Sequence, residues 1–282
     1  MALSCLSHVK RTDETKKRPI APTIINSKLI IDRSGSMISC GEGPSIGLRE
    51  YLKAQRKMAE EGSEVIVQVV TFDNEKEIPF HGNANTITDE IIQQCIDSIV
   101  PRNTTRFFDT LAETIYQQQE EIKDIMDNRT PIQKKLDVKV SGSLAIITDG
   151  CDNASYKHDI YTIKALVENH RKKHNIMCQF IAANMDALNT GESYGFAQEN
   201  SLQMGSNPQN AMAAMMAITS SQERQYSGNA IPSFTPLERQ TSCDTNSIHP
   251  NINNNFGAFY DMDSDDDLYL VPPKPALLKR SR

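Results

Sequence analysis

The feature that most constrains this chain is an alternation of short apolar runs with longer segments of helical period, sustained from about residue 23 to about residue 226. Strands of a parallel sheet are buried on both faces, so they read as near-continuous apolar runs, and they need crossover connections that are usually helical. "SKLIID" (27–32) is such a run, and "GLREYLKAQRKMAEE" (47–61) sets Leu48, Tyr51, Leu52, Gln55, Met58 and Ala59 on one helical stripe. "EVIVQVVTFD" (64–73) and "KEIPF" (76–80) are joined by a tight turn and predict an antiparallel hairpin at one sheet edge. Thr88 and Asp89 cap a predicted helix over 89–99, and the longest helical pattern, 106–127, carries Leu111, Ile115, Ile122 and Ile125. "SLAIITDG" (143–150), a helix over 159–174, "IMCQFIAA" (176–183), a short strand in "SLQMGS" and a helix opening at Pro208 complete the series. The pattern predicts an α/β fold: a mostly parallel central sheet, one antiparallel edge strand, and helices on both faces in three layers.

Composition changes at both ends. Residues 1–22 ("KRTDETKKRP" and its neighbours) read as a flexible leader and 23–226 as the folded domain. Residues 227–282, rich in Asn, Ser, Pro and charge, read as a disordered tail that buries too little apolar area to offset ordering. A formal net charge of −6 and a pI near 5.6 argue against the cationic face that nucleic-acid binding needs. No apolar run is long enough to span a bilayer, the N-terminal segment is too brief for a secretory signal, and Ala2 breaks the myristoylation pattern. The six cysteines are scattered without a Cys-x-x-Cys pair. A reduced, cytoplasmic protein is expected.

The candidate site begins at "KLIIDRSGSM". Asp32 closes an apolar strand, and in a chain that stays extended Ser34 and Ser36 point the same way as Asp32. Asp149 closes a second apolar strand in "IITDG", and "NTTRFFDTL" supplies a hydroxyl just before the long helix. In open parallel sheets ligands collect at the C-terminal ends of strands. Carboxylates and hydroxyls are hard oxygen donors, suited to Mg²⁺ or Mn²⁺ rather than zinc.

Taken together, "IIDRSGSM", "VPRNTTRFFDTLAETI" and "LAIITDGCDNAS" resemble the von Willebrand factor type A (vWA) domain and its metal-ion-dependent adhesion site (MIDAS). "CQFIAANMDALNTGESYGF" is similar to small single-domain members from bacteria, phages and large DNA viruses. The resemblance spans roughly Ile25 to Ser221 and implies a Rossmann-like fold. It implies Asp32, Ser34, Ser36, Thr105 and Asp149 as metal-binding residues, with Asp109 behind them steadying the loops through hydrogen bonds. Asn103 and Thr104 stand where relatives often carry two glycines, so either Thr104 or Thr105 faces the metal. The resemblance further implies that a Glu or Asp of a partner protein completes the metal's coordination.

Other motifs carry plainer readings. "GEGPSIG" lacks dinucleotide-loop spacing and reads as a flexible loop with a helix start at Gly47. His170 and His174 in "HRKKH" have the spacing of a zinc pair, but the intervening Arg171, Lys172 and Lys173 favour a solvated basic face. Met212, Met215 and Met216 read as core filler. "DMDSDDD" is not an EF-hand, because Asp266 holds the glycine position and Pro272 the glutamate position. The expectation is a metal-dependent protein-interaction module and not an enzyme. The competing readings are a Mg-dependent hydrolase or phosphoryl-transfer enzyme, which requires a base or nucleophile beside the metal, and a scaffold whose C-terminal tail carries the recognition.

Overall fold

The computed structural model describes residues 23–174, 176–227 and 233–243. β1 (Thr23–Asp32) leads through a short 3₁₀ segment (Gly35–Cys40) into α1 (Gly43–Glu60), and β2 (Glu64–Phe72) turns into β3 (Lys76–Asn83). Next come α2 (Asp89–Asp97), α3 (Phe107–Asp127), the single-turn α4 (Pro131–Lys135), β4 (Lys139–Thr148), α5 (Ile160–His174) and β5 (Ile176–Ala182). The series closes with α6 (Ala187–Ser193), β6 (Ser201–Gln203), α7 (Pro208–Tyr226) and α8 (Pro236–Cys243). The sheet order is β3-β2-β1-β4-β5-β6, with β3 antiparallel to β2 and the other pairings parallel. From β1 the chain winds outward through β2 and β3, then returns to β4 on the other side of β1. The point where it reverses, between β1 and β4, is where doubly wound sheets open a crevice for ligands.

Strand periodicity divides the interior into two cores. Leu29, Ile31, Val67, Val69, Ala145 and Ile147 pack with Leu48, Leu52, Ile92, Ala214 and Ile218 of α1, α2 and α7. Ile30, Val70, Leu144, Ile146 and Phe180 pack with Phe107, Leu111, Ile115, Ile163 and Val167 of α3 and α5. Side chains alternate across a strand, so one sheet feeds both layers. The three-layer α/β class, the antiparallel edge strand and the Thr88 cap, which accepts from the Ile91 N–H, are all present.

β1 begins four residues earlier than the apolar run, because Asn26, Ser27 and Lys28 are wholly buried inside it. Each has a partner. Gln118 Nε2 donates to the carbonyl and Oδ1 of Asn26 at 3.1 Å, Ser27 Oγ lies 2.8 Å from both Tyr51 Oη and Ser143 Oγ, and Lys28 Nζ pairs with Glu121. Buried polar groups satisfied in this way are tolerated at the centre of a sheet.

"GEGPSIG" is not a flexible loop: α1 starts at Gly43, and Gly43 and Gly47 let α1 lie against α7. A Cβ on Gly47 would sit 2.3 Å from Met215 Cβ, and one on Gly43 only 2.1 Å from the Pro208 carbonyl oxygen. His170 is buried rather than solvated. Its Nε2 lies 2.8 Å from Gln118 Oε1, and burial pushes its pKa down to about 3, so the ring is neutral.

Residues 233–243 correct the expected tail, since they form a loop and α8 packed on α7 and β6. Arg224 reaches Glu238 at 2.8 Å, Arg239 Nη1 donates to the Ser201 carbonyl at 2.7 Å, the Gly205 N–H donates to the Ser242 carbonyl at 2.8 Å, and Phe234 enters the core. Polar pairing holds this helix, and apolar periodicity does not register it. The leader (1–22) and the acidic part of the tail lie outside the described residues. No described helix is long and apolar enough to cross a membrane.

Helix propensity alone gives Gly47→Ala a stabilisation of about 1 kcal/mol. Contact with Met215 reverses the sign, with a net loss of roughly 1–3 kcal/mol from overpacking, measured as a lower urea midpoint at unchanged m-value.

Candidate metal centre

Three loops meet at the C-terminal ends of β1 and β4. The first leaves β1 at Asp32, which is 1% exposed. Its Oδ1 accepts the Ser34 N–H at 2.7 Å and its Oδ2 accepts the Thr148 hydroxyl at 2.6 Å. The chain does not stay extended to Ser36 as expected. Ser34 keeps an extended conformation (φ −61°, ψ 161°) and a 3₁₀ turn begins at Gly35. The turn still brings the two hydroxyls together, with Ser34 Oγ 3.3 Å from Ser36 Oγ.

The third loop begins at Asp149, one residue past β4. Ser36 Oγ donates to Asp149 Oδ1 at 2.6 Å, which ties the first loop to the third. Asp149 Oδ2 is buried and has no hydrogen-bond partner among the described residues. Gly150 lies against both hydroxyl loops: a methyl placed on it would stand 3.6 Å from Thr105 Oγ1 and 3.8 Å from Ser36 Oγ. Thr105 is 3% exposed whereas Thr104 points to solvent, so Thr105 is the threonine that joins the cluster. The Thr105 N–H donates to Asn153 Oδ1 at 2.9 Å, and its carbonyl accepts the N–H groups of Asn153 and Ala154.

Asp109, in the first turn of α3, contacts none of these oxygens. It accepts the backbone N–H groups of Tyr156, Lys157 and His158 at 3.0–3.1 Å, together with His158 Nδ1 and Arg106 Nε. Burial opposes its charge, but these donors outweigh burial and hold the carboxyl at about 2. Asp152 and Ser155 accept the Phe108 and Asp109 N–H groups at the start of α3, so the third loop caps the helix that Thr105 precedes.

The two strand-end carboxyls have the opposite electrostatics. Burial raises Asp32 to about 6, with Asp149 adding to the rise, and burial also raises Asp149. Burial and these two carboxylates push the neighbouring Cys40 thiol up to about 11. Two buried carboxylates whose hydrogen-bond donors among the described residues are all neutral, one keeping an unpartnered oxygen there, fit a site that takes up positive charge. Among the described residues no group of three or more His, Cys, Asp or Glu side chains gathers to hold a metal, which leaves a mixed carboxylate–hydroxyl set. Such a set fits a hard divalent cation that keeps some of its water.

Sequence reasoning placed Asp32, Ser34, Ser36, Thr105 and Asp149 at this rim, and the fold brings them together. It missed Thr148, Asn153 and the loop after β2, where Asp73 is wholly buried. Asp73 follows a strand paired with β1, the kind of exit that identified Asp32 and Asp149, but its turn-like setting concealed it.

Among solved structures the chain is similar to the von Willebrand factor domain of the type V pili tip protein Mfa5 from Porphyromonas gingivalis, with 10% identity, 73% of this chain and 97% of that one covered, and a TM-score of 0.48. It is also similar to a von Willebrand factor type A protein from Catenulispora acidiphila, at 11% identity with 71% and 42% covered and a TM-score of 0.45. A third likeness is to proximal thread matrix protein 1 of the mussel byssus with a zinc-occupied MIDAS motif, at 14% identity with 71% and 46% covered and a TM-score of 0.45. The match spans less than half the length of the last two proteins. No protein-family model and no curated protein matches the chain. The fold and the site therefore stand on this chain's own residues.

The raised Asp32 carboxyl fixes the sign of a pH effect. In chelator the folded state keeps this proton after the unfolded chain, near 3.8, has released it. The associated stability is present below pH 4 and is lost as pH rises through about 6. Urea melts of wild type and Asp32→Asn in chelator are expected to diverge across that window, the wild type losing stability relative to the variant as pH rises from about 4 to about 7.

Proposed function

We propose that this chain is a vWA-type domain that binds Mg²⁺ or Mn²⁺ at Asp32, Ser34, Ser36, Thr105 and Asp149 and presents the cation to an acidic side chain of a partner protein. The observation that carries the reading is the buried Asp149 Oδ2, which has no hydrogen-bond partner among the described residues, beside a ring of hydroxyls. The cation supplies positive charge and open coordination positions. Neutral hydroxyls make up most of the donor set, so two carboxylates leave the cation's charge incompletely neutralised and able to attract a third.

The setting favours a protein partner. Ser36 is exposed at the rim, and beside it Ile38 is 74% exposed and Val100, ahead of the Thr105 loop, is 63% exposed. Exposed apolar residues around a polar centre suit a protein contact. A hydrolase reading requires a base aimed at the centre. The Ser34 and Ser36 hydroxyls lie within hydrogen-bond distance of each other, Ser36 donates to Asp149, and the third-loop His158 is turned to Asp109 through Nδ1.

The test is thermal unfolding of wild type and Asp149→Ala with magnesium, manganese or chelator. A cation at one hundred times its dissociation constant adds about 2.7 kcal/mol to the wild type and nothing to the variant. Equal responses of the two proteins, or none from either at millimolar metal, contradict the site. For the partner, peptides selected on the metal-loaded protein are expected to carry Asp or Glu and to lose binding on Asp→Asn or Glu→Gln replacement and in chelator. Selected peptides that bind equally well in chelator contradict the acidic-ligand reading.

A further inference from the structure

Behind the hydroxyl ring lies a second set of charges that the metal reading leaves unused. Asp73 directly follows β2, next to Asp32, which pairs with Phe72 in register. Its Oδ2 accepts Arg102 Nε at 2.6 Å and Asn103 Nδ2 at 3.1 Å and lies 3.5 Å from Arg33 Nε, while its carbonyl accepts the Arg106 N–H at 2.8 Å. Arg33 is itself 2% exposed and grips Glu77 with both terminal nitrogens, at 2.8 and 2.7 Å, and Arg102 shares the same Glu77 at 2.7 Å.

One buried carboxylate thus hydrogen-bonds Arg102 and Asn103, inside the loop that delivers Thr105, and forms a longer ion pair, without a hydrogen bond, with Arg33 inside the Asp32–Ser36 loop. Two backbone bonds complete the seam: the Arg102 N–H donates to the Arg33 carbonyl at 2.7 Å and the Gly35 N–H to the Asn103 carbonyl at 3.2 Å. Asn103 has φ +58°, the left-handed region that costs a non-glycine residue free energy unless its side chain is held. Here the hold is the hydrogen bond to Asp73.

We propose that Asp73 is a positioning residue: it locks Asn103 in the left-handed conformation and clamps the Thr105 loop to the Asp32–Ser36 loop, so that the hydroxyls are set before any cation arrives. The metal-binding arm of its test rests on the function proposed above, and the exchange arm does not.

In the metal-free full chain, hydrogen exchange of the Arg102 and Gly35 amides is expected to accelerate roughly tenfold or more in Asp73→Asn, while the sheet amides of Ile30 and Ile146 keep their wild-type rates. A merely structural residue would speed all of them together. Asn103→Ala removes the same tether from an exposed position, so it keeps the test open if Asp73→Asn fails to fold, and it should accelerate the same two amides. In Mn²⁺ titrations each variant should weaken binding roughly 10- to 100-fold, and the double variant should be no weaker than the worse single one, as expected for residues acting through one contact. Unchanged loop exchange, uniform acceleration of loop and sheet amides, or additive losses in Mn²⁺ affinity overturn the proposal. A wild type that binds no Mn²⁺ overturns the metal reading alone, and the exchange rates still decide the tether.

Discussion

Two carboxylates buried side by side at the point where the sheet reverses its winding set the terms for the rest of this structure. Asp32 and Asp149 have few donors of their own, and burial pulls both towards protonation. Charged groups in a protein interior are paired, metal-bound or neutralised. Here the neighbours are hydroxyls, neutral oxygen donors that cancel no charge. The fold concentrates negative charge where a parallel sheet opens its crevice, then surrounds it with neutral oxygen donors.

Around that deficit the electrostatics reverse. Asp109 is saturated by backbone N–H groups, His158 and Arg106, while Glu77 and Asp73 are held by Arg33 and Arg102. These outer carboxylates sit below their ordinary range and remain charged, acting as anchors for loops rather than as ligands. The contrast between anchored outer carboxylates and underpartnered inner ones separates support from site within one acidic rim. Rigid backing of this kind limits the reorganisation that binding must overcome.

Much of this was legible in the sequence because it depends on periodicity and on strand ends. β2 and β5 and the C-terminal halves of β1 and β4 are largely apolar runs, and Asp32 and Asp149 each stand where such a run stops. What was hidden depends on pairing between distant side chains. Asn26 hides the start of β1, since its partners, Gln118 and Glu121, come from α3. Gly43 and Gly47 look like loop residues until α7 is seen lying against them. His170 reads as part of a basic surface, yet Gln118 draws it inside. α8 escapes because ion pairs and main-chain bonds hold it. Asp73 escapes for a related reason: its meaning lies in Arg33, Arg102 and Asn103, which no local window brings together.

The central claim is that the oxygens of Asp32, Ser34, Ser36, Thr105 and Asp149 enclose one divalent cation. Anomalous diffraction from crystals grown with Mn²⁺ tests it most directly. The account predicts a single strong peak within that ring, absent from crystals of Asp149→Ala grown in the same way. A peak elsewhere with the ring empty, or no peak at saturating Mn²⁺, would contradict it.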